Sequence, residues 1–407
     1  MRENMKTDRK VKKPTWYQRL IFAIARPIAA FHLRRKYGFV LPKREKIDGP
    51  FIFVSNHLTD NDMMFACLAC KNIMYFVCSE HLFRGGLGGR LLVKAFDEIP
   101  LFKGSIAIKT TKEIMMRIKD GNSICIFPEG SRTFDGRTNP IAEATGKLIK
   151  YAGCDLVTFH LEGGYFVQPR WAKTWRRGPI SGGIVKHYTK DEIAAMSVEE
   201  INEILRRDLA EDAYARQKIS PKKYVGERLA EGIENILYFC PHCRSLESIR
   251  SKDDRFTCTV CHAEWIYDEF GMISEVAKET PFATVPDWSD WEDRYFDELY
   301  ERESELSFSN DGVTLIEITP DHKEIPICTG TLVGDKNGLS IGDHYFPYLE
   351  MEGTEYVNLG NTFLFCLGHT YYSMTAEYLG GIKYRKLYQK CKMQEAQRTG
   401  KHFDIAK

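Results

Sequence analysis

Short apolar runs alternate with stretches of helical period through the first half of the chain. Phe51-Ile52-Phe53-Val54, a stretch near 73 to 78, Ser123-Ile124-Cys125-Ile126 and Leu156-Val157-Thr158-Phe159-His160 have the length and apolar continuity of buried strands. Segments near 61 to 70, 105 to 119 and 141 to 152 carry helical spacing between them. This alternation predicts an α/β sandwich over residues 47–190. Helical patterns around Ser197 to Ala215 and Lys222 to Leu237 lead out of it as a connector, 191–237, or a lid. Trp288, Trp291, Tyr295 and Leu299 then recur at helical intervals among many Asp and Glu, which predicts an acidic amphipathic linker helix within 267–304. From 305 to 407 the pattern changes to short β stretches punctuated by Asn310-Asp311-Gly312, Asp335-Lys336-Asn337-Gly338 and Leu359-Gly360-Asn361. A helix-like run from Gly380 to Ala396 closes the chain, and the set predicts a small β-barrel with a final helix.

Polar clusters follow two of the apolar runs directly. Asn56-His57-Leu58-Thr59-Asp60-Asn61-Asp62 follows the first. A five-residue step on a regular helix turns about 500°, so His57 and Asp62 can meet only across a turn between a strand end and a helix capped near Thr59 or Asp60. A histidine whose partner is a carboxylate has its tautomer fixed and can act as a general base near neutral pH. Phe127-Pro128-Glu129-Gly130-Ser131-Arg132 follows the strand at 123 to 126. Glu129 offers a carboxylate and Arg132 a planar fork suited to phosphate, on a backbone made irregular by Pro128 and Gly130. Loops at the ends of buried strands are where α/β sites assemble.

N-H-x-x-x-x-D followed about seventy residues later by F-P-E-G-S-R resembles the glycerolipid acyltransferase family, which includes the 1-acylglycerol-3-phosphate acyltransferases. The resemblance covers about residues 40 to 190. It implies that His57 deprotonates an acceptor hydroxyl for attack on an acyl thioester while Asp62 orients the histidine. It implies further that Glu129, Gly130, Ser131 and Arg132 hold a glycerol phosphate. A weaker motif of the family ends in arginine where Ile99-Pro100-Leu101-Phe102-Lys103 ends in lysine, so Lys103 would bind phosphate as a point charge. The family's proline is absent from 156–160, and His160 reads as a packed strand residue rather than a second base. No G-x-S-x-G elbow lies near His57, which argues against a hydrolase triad. The helix start after His57 is the candidate source of oxyanion amides. The expected reaction moves a fatty acyl group from acyl-CoA or acyl-carrier protein to the sn-2 hydroxyl of lysophosphatidic acid; glycerol 3-phosphate or another lysophospholipid is the alternative acceptor.

Charge sharpens the picture at the front of the chain. Residues 1–46 hold fourteen Lys or Arg against three acidic residues, a balance of +11 in a protein whose net charge is +1, so the remainder carries about −10. Inside this arm the run from Trp16 to Phe31 is apolar but broken by Arg26 and Pro27, too short for a confident spanning helix. It reads as an amphipathic helix lying at an anionic membrane surface, with Arg19 and Arg26 on one face and Leu20, Ile24 and Phe31 on the other. Packing on the catalytic domain is the alternative. Pro169-Arg170-Trp171-Ala172-Lys173-Thr174-Trp175-Arg176-Arg177 interleaves cations and tryptophans, a pattern suited to lipid headgroups or a donor phosphate.

Cys240-Pro241-His242-Cys243 and Cys258-Thr259-Val260-Cys261 form two C-x-x-C knuckles with fourteen residues between them. Four such thiolates are the expected ligands of a structural zinc in a ribbon over 238–266, with His242 and His262 as bystanders; no catalytic metal is expected. The remaining cysteines, Cys67 and Cys70 included, read as buried thiols suited to a reducing cytoplasm. Residues 305–407 are similar in order to pleckstrin-homology-like domains. The reading is of a peripheral or monotopic enzyme at the cytoplasmic face of a membrane, of bacterial origin. A zinc-ribbon nucleic-acid- or protein-binding scaffold is the competing class, and the mildly acidic balance outside the arm makes nucleic acid an unlikely partner.

Overall fold

The computed structural model describes residues 14–39, 46–79, 96–101, 107–277, 279–319, 323–400 and 403. A helix α1 (Trp16–Tyr37) leads into a six-stranded sheet built from β1 (Phe51–Ser55), β2 (Met74–Ser79), β3 (Ile99–Leu101), β4 (Ser123–Ile126), β5 (Asp155–Glu162) and β6 (Ser181–Tyr188), in the order β3-β2-β4-β1-β5-β6. All neighbours are parallel except β5 and β6. Helices α2 (Asp62–Ala69), α3 (Ala107–Lys119), α4 (Ala144–Ala152), the four-residue α5 (Gly164–Val167), α6 (Lys190–Ala195), α7 (Val198–Asp208) and α8 (Ala213–Ile219) complete this unit.

Because strand side chains alternate faces, β1 is divided between two cores. Ile52 and Val54 join Ile114, Ile118, Ile149 and Leu205 from α3, α4 and α7. Phe51 and Phe53 join Leu33 and Tyr37 of α1, Phe65 and Leu68 of α2, and a set reaching Trp265 and Trp288 far down the chain. Burial on both faces explains why β1, β4 and much of β5 read as continuous apolar runs. The edge strand β6, Ser-Gly-Gly-Ile-Val-Lys-His-Tyr, was not expected from the pattern; it is largely exposed. The expected helix at 222 to 237 is absent. That stretch follows Pro221 and contains Gly226 and Gly232, the latter at φ +97, and forms turns with one short 3-10 segment at Ile233–Asn235.

Four antiparallel strands, β7 (Ile249–Lys252), β8 (Arg255–Cys258), β9 (Glu264–Tyr267) and β10 (Ile273–Glu275), make the ribbon. The acidic helix α9 (Val285–Arg302) follows, started by a Thr284 cap and Pro286 in its first turn. Rather than an isolated linker, α9 is wedged between the other units. Trp288 Nε1 donates to the Phe239 carbonyl at 3.1 Å, and buried Glu292 accepts from the amides of Tyr238 and Phe239 at 2.6 and 2.7 Å. Its acidic ridge is matched by bases: Asp290 by Arg137, and Asp293 and Asp297 by Lys386 and Lys390, each lysine at 2.6 Å.

The last unit is a seven-stranded antiparallel sheet: β11 (Phe308–Ile318), β12 (Glu324–Gly334), β13 (Gly338–Ile341), β14 (His344–Pro347), β15 (Met351–Val357), β16 (Thr362–Leu367) and β17 (Thr370–Thr375), ordered β14-β13-β12-β11-β17-β16-β15. Helix α10 (Gly381–Thr399) packs Tyr384, Leu387 and Tyr388 into its core. The expected barrel is thus a half-barrel, since β14 and β15 remain edges among the described residues.

Candidate active site

The turn after β1 is held by side chains that replace missing strand partners. Asn56 is buried and pairs with the backbone of Leu161 in both directions, its Nδ2 donating to the carbonyl and its Oδ1 accepting from the amide, each at 2.8 Å. This brace, which the sequence did not single out, fixes the chain as it leaves the sheet. His57 follows, with its ring stacked on Phe127 at 4.4 Å and its Nδ1 2.9 Å from Asp62 Oδ2. Asp62 is 1% exposed. Its carboxylate also accepts from the amides of Leu58 and Thr59 and from the Thr59 hydroxyl. An ionised carboxylate only accepts, so Nδ1 carries the hydrogen and Nε2 is the basic nitrogen.

The two residues therefore meet across the turn as expected. The cap differs: α2 begins with Asn61 at its N-cap and no side-chain capping bond, while Asp62 reaches back to organise the turn. The oxyanion expectation fails for the amides from Leu58 to Asp62. Those of Leu58 and Thr59 serve Asp62, that of Asp60 serves Gln168, that of Asn61 the Thr59 hydroxyl, and that of Asp62 the Thr59 carbonyl.

The second cluster divides into a brace and a cleft wall. Glu129, expected to hold substrate phosphate, faces inward: Oε1 accepts from the His57 amide at 2.8 Å and Oε2 from the Asn139 amide at 2.7 Å. Burial pushes its carboxyl up to about 8, against the opposing pull of those two amides. Glu129 thus ties the two motif loops together and does not line the cleft. Gly130, at φ +69, Ser131 and Arg132 do line it. Arg132 pairs with Asp60 at 3.1 Å. Lys103 lies outside the described residues.

These residues surround a cleft of about 500 Å³. Its lining mixes apolar Met63, Val77, Cys78 and Leu101 with polar Asp60, Arg132, Gln168, Arg170, Asn235 and Glu355. The Arg-Trp segment is divided: Lys173, Trp175 and Arg177 stay exposed while others turn inward. Trp171 and Arg176 are buried, Arg176 beside the rings of Trp171 and Tyr267, and Arg170 lies over the rings of Phe134 and Tyr356 at 4.1 and 5.3 Å. His160 pairs with Glu211 at 3.1 Å, away from the cleft, in keeping with a strand residue.

Helix α1 presents Trp16, Leu20, Ile24, Ile28 and Phe31 to solvent, each more than half exposed, within about 120° of its circumference. Its opposite face buries Phe22, Leu33 and Tyr37. Arg26, expected near lipid, instead donates to the carbonyls of Lys71 and Asn72 at 2.8 and 2.5 Å and anchors the helix to the domain. Among the described residues no helix is long and apolar enough to cross a membrane.

In the ribbon the sulfurs of Cys240, Cys243, Cys258 and Cys261 all lie within 4.8 Å of one another, Cys240 3.5 Å from Cys261 and Cys243 3.6 Å from Cys258. Ligands about 2.3 Å from a tetrahedral ion stand about 3.8 Å apart, so the four sulfurs fit such a centre. Burial opposes ionisation of Cys258, yet the Cys261 amide, the Ser248 hydroxyl and the Val260 amide at its sulfur bring it down to about 6. His242 pairs with Glu275 at 3.0 Å and stacks on Trp265, apart from the sulfurs.

Residues 34–162 match the family model described as Acyltransferase. Comparison with curated proteins finds no match. Among solved structures the fold is similar to the 1-acyl-sn-glycerophosphate (LPA) acyltransferase PlsC from Thermotoga maritima, at 18% identity and a TM-score of 0.40, over 47% of this chain and 78% of that one.

Proposed function

We propose, from the match of residues 34–162 to the Acyltransferase family model and the motifs around His57 and Glu129, that this chain transfers a fatty acyl group from an acyl-CoA or acyl-carrier-protein thioester to the sn-2 hydroxyl of 1-acylglycerol 3-phosphate. The observation that carries this reading is His57, 2.9 Å from its partner Asp62, on the wall of a cleft that apolar side chains and two arginines line. His57 Nε2 takes the hydroxyl proton as the oxygen attacks the thioester carbonyl. The carbon–sulfur bond then breaks and the departing thiolate receives the proton from the imidazolium, so no acyl-enzyme forms. Asp62 stabilises the imidazolium, and Arg132 receives the acceptor phosphate. Met63, Val77 and Leu101 take the start of an acyl chain.

The reaction joins a lipid to a soluble donor, and the exposed apolar row of α1 suits the membrane surface where that lipid resides. We assign a structural zinc to the four ribbon sulfurs, which leaves no open ligand position for catalysis. A nucleic-acid scaffold is less favoured, because Arg176 is buried and Arg170 lines the cleft rather than an open surface.

The test is purified protein with acyl-CoA or acyl-carrier protein and several lysolipids, with product read by mass. Transfer to 1-acylglycerol 3-phosphate by the native protein and its loss in His57→Ala are expected. Retained turnover in that variant, or no transfer by the native protein, refutes the reading.

A further inference from the structure

The cleft is not closed by the acyltransferase domain alone. Glu355, Tyr356 and Val357 at the end of β15, and Leu359 and Gly360 in the turn to β16, line it together with His57 and Arg132, more than two hundred residues away in sequence. The contact is built rather than casual. Phe134, two residues after Arg132, stacks on Tyr356 with ring centroids 4.6 Å apart. Arg170 covers both rings, donates to the Tyr356 carbonyl at 2.7 Å and the Arg132 carbonyl at 3.2 Å, and stands 3.9 Å from Glu355. Arg170 is 12% exposed, and its burial, only partly offset by Tyr356 and Glu355, lowers its guanidinium to about 10, so it stays charged at neutral pH. Arg385 of α10 lies over the same Tyr356 ring at 5.8 Å. Leu359 holds φ 57, ψ 32, a left-handed conformation uncommon for a branched residue and most often retained where local shape has a use.

We propose that this C-terminal sheet is part of the acceptor site: Arg132 and Arg170 together bind the acceptor's anionic group, and the 355–360 wall that Arg170 fastens admits a phosphate monoester while rejecting a phosphate carrying a further alcohol. The inference rests on the acyl-transfer reading above. Each guanidinium has five N–H groups, more than its protein partners use, and a dianionic monoester gains more from a cationic pair than a singly charged diester does. A choline or glycerol esterified to that phosphate would have to occupy the space of Tyr356 and Leu359.

The test compares 1-acylglycerol 3-phosphate with 1-acylglycerophosphocholine of the same chain, using full-length protein, acyl-CoA and mass detection. The native protein is expected to prefer the monoester. Leu359→Gly, which suits the local φ, should raise the diester-to-monoester ratio of kcat/KM about 10-fold. Arg170→Gln should raise KM for the monoester about 10-fold with kcat within about 3-fold, and Arg170→Lys should fall between. Thermal melts establish that each variant is folded; if Arg170→Gln is not, the Leu359→Gly ratio decides. Equal native use of both acceptors, or an unchanged ratio in Leu359→Gly, overturns the wall while leaving acyl transfer standing. No transfer to either lysolipid overturns the transfer reading and this inference with it.

Discussion

Asp62→Asn separates the two services that this carboxylate performs. With its amide oxygen in the position of Oδ2, the variant can still accept from the Leu58 and Thr59 amides and from His57 Nδ1, and its NH2 can donate to the Thr59 hydroxyl. The turn and the tautomer are then kept, and only the negative charge is lost. Imidazolium and carboxylate charge centres about 4 Å apart interact by about 4 kcal/mol at an effective dielectric constant of about 20. A neutral hydrogen bond retains about 1 kcal/mol of this. The remaining ~3 kcal/mol is gained as His57 takes up the hydroxyl proton in the transition state, and corresponds to a loss of kcat on the order of 10²-fold with KM little changed. Asp62→Ala should differ in kind: it orphans buried donors and should lower the melting temperature as well as kcat. Steady-state kinetics with melts on both variants provide the assay. A loss below about 3-fold in Asp62→Asn, or one carried mainly by KM, refutes the electrostatic role.

Three further outcomes follow from other parts of the molecule. Replacing Ile24 and Phe31 together by Glu should weaken sedimentation with anionic vesicles at least about 10-fold, since each large apolar side chain contributes about 2 kcal/mol when taken out of water, and the melting temperature should hold; unchanged binding removes α1 from the membrane. Elemental analysis should find about one zinc per chain, and a strong chelator or Cys258→Ser should lower the melting temperature sharply; a metal-free protein with an unaltered melt refutes the site. Glu129, raised by burial from its ordinary 4.5 to about 8, favours its neutral form in the folded state. Its contribution to stability is full below about 4.5 and is lost as pH rises through about 8, so melts should decline across that window, whereas Glu129→Gln should melt lower but decline less; a parallel decline in both proteins refutes this.

The central strands were legible because burial on both faces leaves an uninterrupted apolar signature, and β1 runs over the predicted residues 51 to 55. The His57–Asp62 encounter was legible because a strand end and a helix start leave only a turn between them. Glu129 was misread for a physical reason: a carboxylate beside an arginine looks the same in sequence whether it faces ligand or backbone amides, and only the fold brings the His57 and Asn139 amides to it. Arg176 was misread likewise, since interleaved cations and tryptophans do not reveal which of them turn inward. The wall at 355–360 was invisible because it joins segments with no shared period, and β6 because its glycines and exposed positions suppress the strand signature.

The continuous apolar cluster that runs from Phe51 and Phe53 to Trp265 and Trp288 also has a consequence during synthesis. Strands β1 to β4 leave the ribosome more than a hundred residues before the ribbon and α9 that extend the core they share. At a translation rate of about 5–20 residues per second the part of that core around Phe166 and Trp171 would wait several seconds for Tyr267 and Trp288. A chain arrested after residue 190 would therefore present a sticky intermediate, a natural client for a chaperone, rather than a finished enzyme lacking an accessory. Completion of the last domains is in this sense a folding step for the first.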